Sequence, residues 1–275
     1  MHNFQNIGIA GIGLIGGSFA GAFYDLGKNV YAYDINKSVL VEAIESGKFQ
    51  GVTDDISEFL NFSLDLIYIC LPVNVALTFL RSLKEHGYNG FITDACSTKS
   101  SLYNLANELN LNYCGGHPIR GKEQSGFSAA EPTLFKDALH IIVPSKNERF
   151  KESLINLHTQ IGMRVKLMDA NTHDKIFANV SHLPHLISFC LMDTVLLNNP
   201  EALSYVGGGF LDFTRIAASD PSMWRDVFID NKAELLKVVS DLEETIELWK
   251  KTISDSNSTN LYKLIDKVSL ERRKL

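Results

Sequence analysis

The feature that most constrains the fold is a set of three glycines, Gly11, Gly13 and Gly16, in the stretch GIGLIG. The apolar residues before it predict a strand over residues 6–12, and those after it predict a helix over residues 14–26. Glycines at this spacing allow a tight turn and bring backbone N–H groups close to a diphosphate at the helix N-terminus. The chain is therefore expected to begin with a strand, a phosphate-binding turn and a helix.

Strand and helix patterns continue to alternate through the first half of the chain. The predicted strands after the first cover residues 30–34, 64–71, 90–96, 111–116 and 139–144. The predicted helices between them cover residues 37–46, 73–86 and 99–109. Short apolar runs separated by amphipathic segments are typical of a parallel sheet with helices on both faces. The fold class is therefore α/β, with an N-terminal Rossmann-type doubly wound sheet whose last strands are in mixed orientation.

The second half has a helical pattern after one more strand signal in residues 163–170. A long helical run covers residues 172–197 and is interrupted by Pro184. Asp220 followed by Pro221 marks another helix start, because aspartate caps the free N–H groups and proline fits the first turn. We predict a nucleotide-binding domain over residues 1–170 and an all-helical substrate and dimerisation domain over residues 171–275.

A stripe of apolar residues near the end of the chain repeats at three- and four-residue steps. It consists of Leu235, Val238, Val239, Leu242, Ile246 and Trp249. This spacing predicts one buried helix face. The face could pack against neighbouring helices of the same chain, or it could form a homodimer interface, which would bury more apolar surface than a small helical domain can bury alone.

Composition excludes several classes of function. The formal net charge is −6 with scattered lysines and arginines, so nucleic acid is not an expected partner. The four cysteines are widely spaced without a Cys-x-x-Cys pair and are predicted to be free thiols of a reducing compartment. Residues 7–24 are uncharged and about long enough to span a bilayer, but their glycines disfavour a helix and no basic region precedes them. We expect no membrane segment and a cytoplasmic location.

An acidic residue points to the dinucleotide. Asp34 ends the second predicted strand, where a carboxylate can accept hydrogen bonds from both adenosine ribose hydroxyls and repel a 2′-phosphate. NAD is therefore expected over NADP, although Lys37 nearby leaves NADP open. A glycine-rich turn that binds nothing is the alternative. The predicted cofactor-binding residues are Gly11, Gly13, Leu14, Ile15, Gly16, Asp34, Leu71 and Pro72.

Two further stretches fall at the carboxyl edge of the predicted sheet, where open α/β folds bind ligands. Ser97 lies in DACSTK after the strand over residues 90–96; its hydroxyl could contact a ligand, cap the next helix, or do both. His117 lies in GGHPIRGKE after the strand over residues 111–116. A neutral imidazole beside a nicotinamide is suited to accept a hydroxyl proton as hydride leaves the same carbon.

The helical half contributes the stretches SHLPH and GGGFLDFTRIAASDPSMWRD. His182 and His185 are three residues apart and share a helix face, but a third metal ligand is missing at any recognisable spacing, so no metal is predicted. Arg215 offers a planar fork for a substrate carboxylate. The alternative is a surface ion pair with Asp212, which shares its helix face.

Taken in order, GIGLIG, DACSTK, GGHPIRGKEQSG, SHLPH and GGGFLDFTRIAASDPSMWRD resemble the prephenate dehydrogenase family of tyrosine biosynthesis, over residues from about 7 to 226. The resemblance implies oxidative decarboxylation of prephenate to 4-hydroxyphenylpyruvate, with NAD(P) as the hydride acceptor. It also implies a homodimer formed by the helical domain.

The resemblance also implies roles for individual residues. His117 would take the proton of the ring C4 hydroxyl, Ser97 would hydrogen-bond to that histidine and hydroxyl, and Arg215 would bind a substrate carboxylate. The predicted substrate-binding residues are Arg215, His182, His185, Glu123, Arg120, Gly208 and Trp224.

Three residues depart from the family pattern. Cys96 replaces the glycine that is usual before the serine, which could crowd the turn. Arg120 and Lys122 make the loop more cationic, and Arg120 could contact the pyruvyl carboxylate or be a solvated loop charge.

Other activities remain open on the sequence. Arogenate dehydrogenase performs the same chemistry on a substrate with an amino group in place of the keto group, and a cationic loop favours the keto acid. A β-hydroxyacid dehydrogenase shares the two-domain plan but not these motifs. A non-catalytic NAD-binding redox sensor would bind NAD without turnover, and the presence of His117, Ser97 and Arg215 together favours catalysis.

Overall fold

A computed structural model of the protein describes residues 2–122 and 124–275. Eight strands within this part of the chain form one sheet in the order β3-β2-β1-β4-β5-β6-β7-β8. Their bounds are β1 Asn6–Ala10, β2 Asn29–Tyr33, β3 Gly51–Thr53, β4 Leu66–Ile69, β5 Phe91–Asp94, β6 Asn112–Pro118, β7 Leu139–Val143 and β8 Arg164–Leu167. Neighbouring strands are parallel except for β6 and β7, which are antiparallel. The predicted mixed orientation of the last strands is confirmed.

Helices cover both faces of the sheet. They are α1 Leu14–Asp25, α2 Lys37–Glu45, α3 Ile56–Asn61, α4 Val73–Glu85, α5 Ser100–Glu108 and α6 Glu148–Gln160. One apolar core joins the sheet to α1, α2 and α6 around Phe19 and Phe150. The other joins it to α3, α4 and α5 around Phe59 and Leu80. This arrangement confirms the doubly wound α/β fold.

The sequence patterns did not predict β3, α3 or α6. The strand β3 has only three residues and lies at the edge of the sheet, so it is too short to show a period. The predicted strand over residues 163–170 is also too long, because β8 ends at Leu167.

The helical half contains α7 Ala170–Phe177, α8 Leu183–Asn198, α9 Gly208–Thr214, α10 Pro221–Asp230, α11 Lys232–Ser254 and α12 Ser258–Arg272. One π-helical turn, Ala178–His182, joins α7 to α8. Pro184 therefore lies in the first turn of α8, where its missing N–H removes little hydrogen bonding. The predicted start of α10 is confirmed, because Asp220 accepts a hydrogen bond from the backbone N–H of Met223. The predicted division at residues 170 and 171 stays a prediction and falls at the start of α7.

Much of the apolar surface of the helical half is exposed in the single chain. In the predicted stripe, Leu235 and Val238 are buried but Ile246 is 47% exposed, so a stripe buried along its whole length is wrong for one chain. Helix α12 has no buried residue, and in α8 only Ser188 is buried. Residues 170–198 are long and apolar enough to cross a membrane by length and composition alone. Exposed apolar faces of this size mark an interaction surface.

Candidate active site

The three glycines form a turn at the carboxyl end of β1, and each has a different surrounding. Gly11 has a φ of +87°, and a Cβ there would lie 2.7 Å from the Cys70 carbonyl oxygen. A Cβ on Gly16 would lie 1.9 Å from the Gly11 carbonyl oxygen, so α1 packs against the turn without room for a side chain. A Cβ on Gly13 would meet no atom within 4 Å. The turn thus leaves open space at Gly13, where a diphosphate can approach the backbone and the N-terminus of α1.

Asp34 is hydrogen-bonded to the backbone of this turn. One carboxylate oxygen accepts a hydrogen bond from Ile12 N at 3.0 Å, and the other accepts one from Asn36 N at 2.9 Å. Each oxygen keeps a second lone pair, so both can still accept hydrogen bonds from ribose hydroxyls. The Lys37 ammonium does not pair with the Asp34 carboxylate, because its Nζ lies 3.3 Å from a carboxylate oxygen of Asp54. The residues present therefore fit NAD.

A cleft of about 350 Å³ opens between the carboxyl edge of the sheet and the helical half. Six of the predicted residues line it together: Gly13, Leu14, Ile15, Leu71, Pro72 and Ser97. The loop after β6 adds Lys122 and Gln124, and the start of α10 adds Met223. The predicted site residues did not include Lys122, Gln124 or Met223, because the sequence of a loop does not show which part of the fold it packs against.

His117 lies at the end of β6, paired with Ile141 of β7, rather than in a loop after the strand as predicted. Its Nδ1 is 2.8 Å from Nε2 of His173. Nδ1 of His173 is in turn 2.8 Å from a carboxylate oxygen of Asp174. The prediction missed this pair, although an adjacent His-Asp at the start of the helical half was a usable signal.

Asp174 also closes the N-terminus of α5. Its two carboxylate oxygens accept hydrogen bonds from Lys99 N at 2.9 Å and Ser100 N at 2.8 Å. Since α5 begins at Ser100, the alternative that Ser97 caps this helix is wrong. Ser97 lines the cleft, and its hydroxyl makes no hydrogen bond with any residue that the structure describes.

The surroundings set the charge of His117. Burial lowers the pKa of His117 well below its ordinary value of 6.5, and the nearby His173 and Lys99 lower it further. Burial alone would raise the pKa of Asp174, but hydrogen bonds from His173 and Ser100 outweigh it and lower that pKa. At neutral pH the site therefore holds a neutral His117 imidazole and an ionised Asp174 carboxylate, linked through His173.

A buried ion pair lies near His117. The Lys99 ammonium contacts the Asp94 carboxylate, and both side chains are fully buried. Asp94 also accepts hydrogen bonds from the Tyr113 hydroxyl, from Cys96 N at 2.8 Å and from Gly116 N at 3.1 Å. These contacts fasten the end of β5 to β6. Cys96 is buried in the core around α4 and α5, where its Sγ lies 3.4 Å from the Leu71 carbonyl oxygen, and it also lines the cleft beside Ser97.

The predicted residues of α8 and α10 lie together. His182 is buried, with its Nδ1 3.1 Å from the side-chain amide nitrogen of Asn231, and burial lowers the pKa of His182 to about 4. His185 stacks on Trp224 with ring centroids 3.6 Å apart. The indole N–H of Trp224 is buried and has no hydrogen-bond partner among the described residues.

Other predicted residues are not brought to the cleft. Arg120, Gly208 and Arg215 are exposed, and none of them lines it within the described chain. Glu123 lies outside the described residues. Within residues 2–122 and 124–275, no three His, Cys, Asp or Glu side chains are grouped so that they could hold a metal ion.

The sheet, the glycine turn, Asp34 and the histidine at the end of β6 define an NAD-dependent dehydrogenase with a Rossmann-type domain. Residues 19–167 match the family described as "Prephenate dehydrogenase, nucleotide-binding domain", and residues 169–267 match "Prephenate dehydrogenase, dimerization domain". The chain belongs to the prephenate dehydrogenase family.

Individual relatives agree with this assignment. A prephenate dehydrogenase of Bacillus subtilis is 30% identical over 93% of this chain and 72% of its own length. A cyclohexadienyl dehydrogenase of Zymomonas mobilis is 31% identical over 94% of this chain and 92% of its own. The crystal structure of prephenate dehydrogenase from Aquifex aeolicus with hydroxyphenyl propionate and NAD⁺ is 33% identical, covers 99% of both chains and superposes with a TM-score of 0.93.

Proposed function

We propose that this protein catalyses the oxidative decarboxylation of prephenate to 4-hydroxyphenylpyruvate, with NAD as the hydride acceptor, in tyrosine biosynthesis. The observation that carries the proposal is the neutral His117 at the end of β6, hydrogen-bonded to His173, at the same carboxyl edge of the sheet where Ser97 lines the cleft. A base is needed there because a hydroxyl proton has to move when hydride leaves the same carbon.

The proposed reaction balances without a metal. NAD, which the glycine turn and Asp34 would hold, would supply the acceptor for the hydride of ring C4. His117 takes the proton of the C4 hydroxyl, and Ser97 donates a hydrogen bond to the C4 oxygen. The ring carboxylate leaves as CO₂, and its bonding electron pair passes through the ring to that oxygen, which regains the proton from His117. The ring becomes aromatic, and this change supplies the driving force.

The substrate-binding roles follow from charge and shape. We assign Arg215 to a substrate carboxylate, because its guanidinium can bind both oxygens at once. His182, His185 and Trp224 would contact the rest of the substrate, with the unpartnered indole N–H as a donor. Arg120, Glu123 and Gly208 complete the proposed set.

The test is the rise in NADH absorbance when the purified protein is mixed with NAD and prephenate. Parallel reactions replace prephenate by arogenate and NAD by NADP. The arogenate reaction is included because a relative is named a cyclohexadienyl dehydrogenase, and prephenate and arogenate are both cyclohexadienyl acids. We expect turnover with NAD and prephenate. NAD binding without turnover of either acid would contradict the proposal and favour a redox sensor.

We also propose that the protein is a cytoplasmic homodimer. Its helical half matches a family domain described as a dimerisation domain, and α8, α11 and α12 carry exposed apolar side chains. All four cysteines, which lie within the described residues, are free, as suits a reducing compartment.

Replacing Leu196 by glutamate should weaken this dimer. Leu196 is 50% exposed on α8, and burying a charge there without a partner should cost about 3 kcal/mol, or over about 100-fold in the dissociation constant. Size-exclusion chromatography with light scattering would measure the shift toward monomer. Ile44→Glu is the matched control, because Ile44 is 62% exposed on α2 in the nucleotide-binding half. A dimer as tight as the wild type in the Leu196 variant would exclude α8 from the interface.

A further inference from the structure

We propose that His173 and Asp174 are positioning residues that hold His117 in one tautomer, with the proton on Nδ1 and the lone pair on Nε2. In that state Nε2 is the atom that accepts the substrate proton. The catalytic consequence rests on the proposed function, whereas the tautomer itself is a property of the protein without substrate.

The direction of each hydrogen bond follows from Asp174. Both of its oxygens accept backbone N–H groups, from Lys99 and Ser100, and an ionised carboxylate has no hydrogen to donate. Nδ1 of His173, 2.8 Å from the same carboxylate, must therefore carry a hydrogen. The N-terminus of α5 adds favourable positive potential that keeps this carboxylate charged.

The same donor and acceptor argument determines which ring nitrogen of His117 carries the hydrogen. A neutral His173 with a hydrogen on Nδ1 has a bare Nε2, which can only accept. Nδ1 of His117 lies 2.8 Å from that atom and must donate to it. A neutral His117 with a hydrogen on Nδ1 has its lone pair on Nε2. One carboxylate thus determines the protonation of an imidazole two hydrogen bonds away.

Neutrality of both rings is required, and the surroundings provide it. The groups that act on the pKa of His117 are His173 of α7, Lys99 before α5 and His182 of the π-helical turn, and His117 in turn lowers the pKa of His140 of β7. Burial together with these groups lowers the pKa of His117, and burial lowers that of His173. Phe177 packs against both rings, with centroids 4.9 Å and 4.4 Å away, and limits their rotation.

The arrangement also helps the imidazolium that forms when His117 takes a proton. Its Nδ1–H remains bonded to His173, which is bonded to the negative charge of Asp174. The stabilised species is the one present after proton uptake, so the pair should affect kcat more than substrate affinity.

The tautomer can be measured directly by ¹⁵N NMR of histidine-labelled protein without substrate. The protein has eight histidines, and the resonances lost in His117→Asn identify the ring of interest. We expect a protonated Nδ1 and a bare Nε2 in the wild type. In His173→Phe, which removes the acceptor, we expect a mixture of tautomers. A His117 with its proton on Nε2 in the wild type, or an unchanged Nδ1–H in His173→Phe, would overturn the proposal.

Kinetics supply the second readout. His173→Phe should lower kcat by about 10- to 100-fold, with KM for prephenate and Kd for NAD within about twofold of wild type. His173→Gln is the matched variant, because its side-chain oxygen can accept from His117 and its amide can donate to Asp174; it should recover part of the loss. Equal kcat in the Phe and Gln variants would contradict a positioning role.

NAD binding by calorimetry checks that each variant is folded. If the wild type shows the expected tautomer but does not oxidise prephenate, the proposed function fails while the positioning role of His173 stands.

Discussion

Replacing His117 by asparagine is expected to lower kcat by about 100- to 10,000-fold and to leave NAD affinity unchanged. The variant keeps a polar side chain at the end of β6 but loses the basic nitrogen that takes the hydroxyl proton. NAD is predicted to contact the glycine turn and Asp34, which His117 does not touch among the described contacts. Initial rates with prephenate and a calorimetric titration with NAD would measure the two effects.

The wild-type pH profile provides a check on this assignment. Because burial, together with the nearby Lys99 ammonium, holds the pKa of His117 well below 6.5, the base stays neutral as the pH falls from 8 to 6.5. We expect kcat to be constant over this interval and to fall only at lower pH. Nearly wild-type kcat in His117→Asn would remove His117 from the mechanism.

Replacing Lys99 by methionine is expected to lower the free energy of unfolding by about 3–5 kcal/mol. The change leaves the fully buried Asp94 carboxylate without its counter-charge. Urea denaturation followed by circular dichroism would measure the loss.

Two further variants make this measurement specific. Lys37→Met removes a lysine that is 84% exposed and paired with Asp54, so it should change the free energy of unfolding little. Adding Asp94→Asn to Lys99→Met removes the isolated charge but keeps an acceptor for Tyr113, and should recover part of the loss. Equal effects of the two lysine variants would show that burial of the Lys99 pair does not matter.

Most of the nucleotide-binding fold was predictable, because its signals are local. The glycine turn marks the junction of β1 and α1, and a buried strand such as β4 appears as an uninterrupted apolar run. The strand β3 was missed because three residues at a sheet edge carry no pattern. The exposure of Ile246 was missed because periodicity identifies an apolar face but not whether the same chain covers it.

The candidate site divides in the same way. Gly13, Leu71 and Ser97 could be placed at one edge because parallel strands end there together. The contact between His117 and His173 joins residues 56 positions apart, and no motif spans that distance. Arg120 and Arg215 are exposed and do not line the cleft in the described chain, so their substrate roles stay predictions.

The contact of Asp174 with the start of α5 has a consequence for recombining this enzyme with relatives. A chimaera joined between β8 and α7 would take His117 and α5 from one parent and His173 and Asp174 from the other. The hydrogen bonds from His117 to His173 and from Ser100 N to Asp174 would then depend on the packing between segments from two different parents. The smallest unit that can be exchanged without changing the hydrogen bonds of His117 is therefore the nucleotide-binding half together with α7. Exchange at the border between β8 and α7 should yield proteins that bind NAD but have a low kcat.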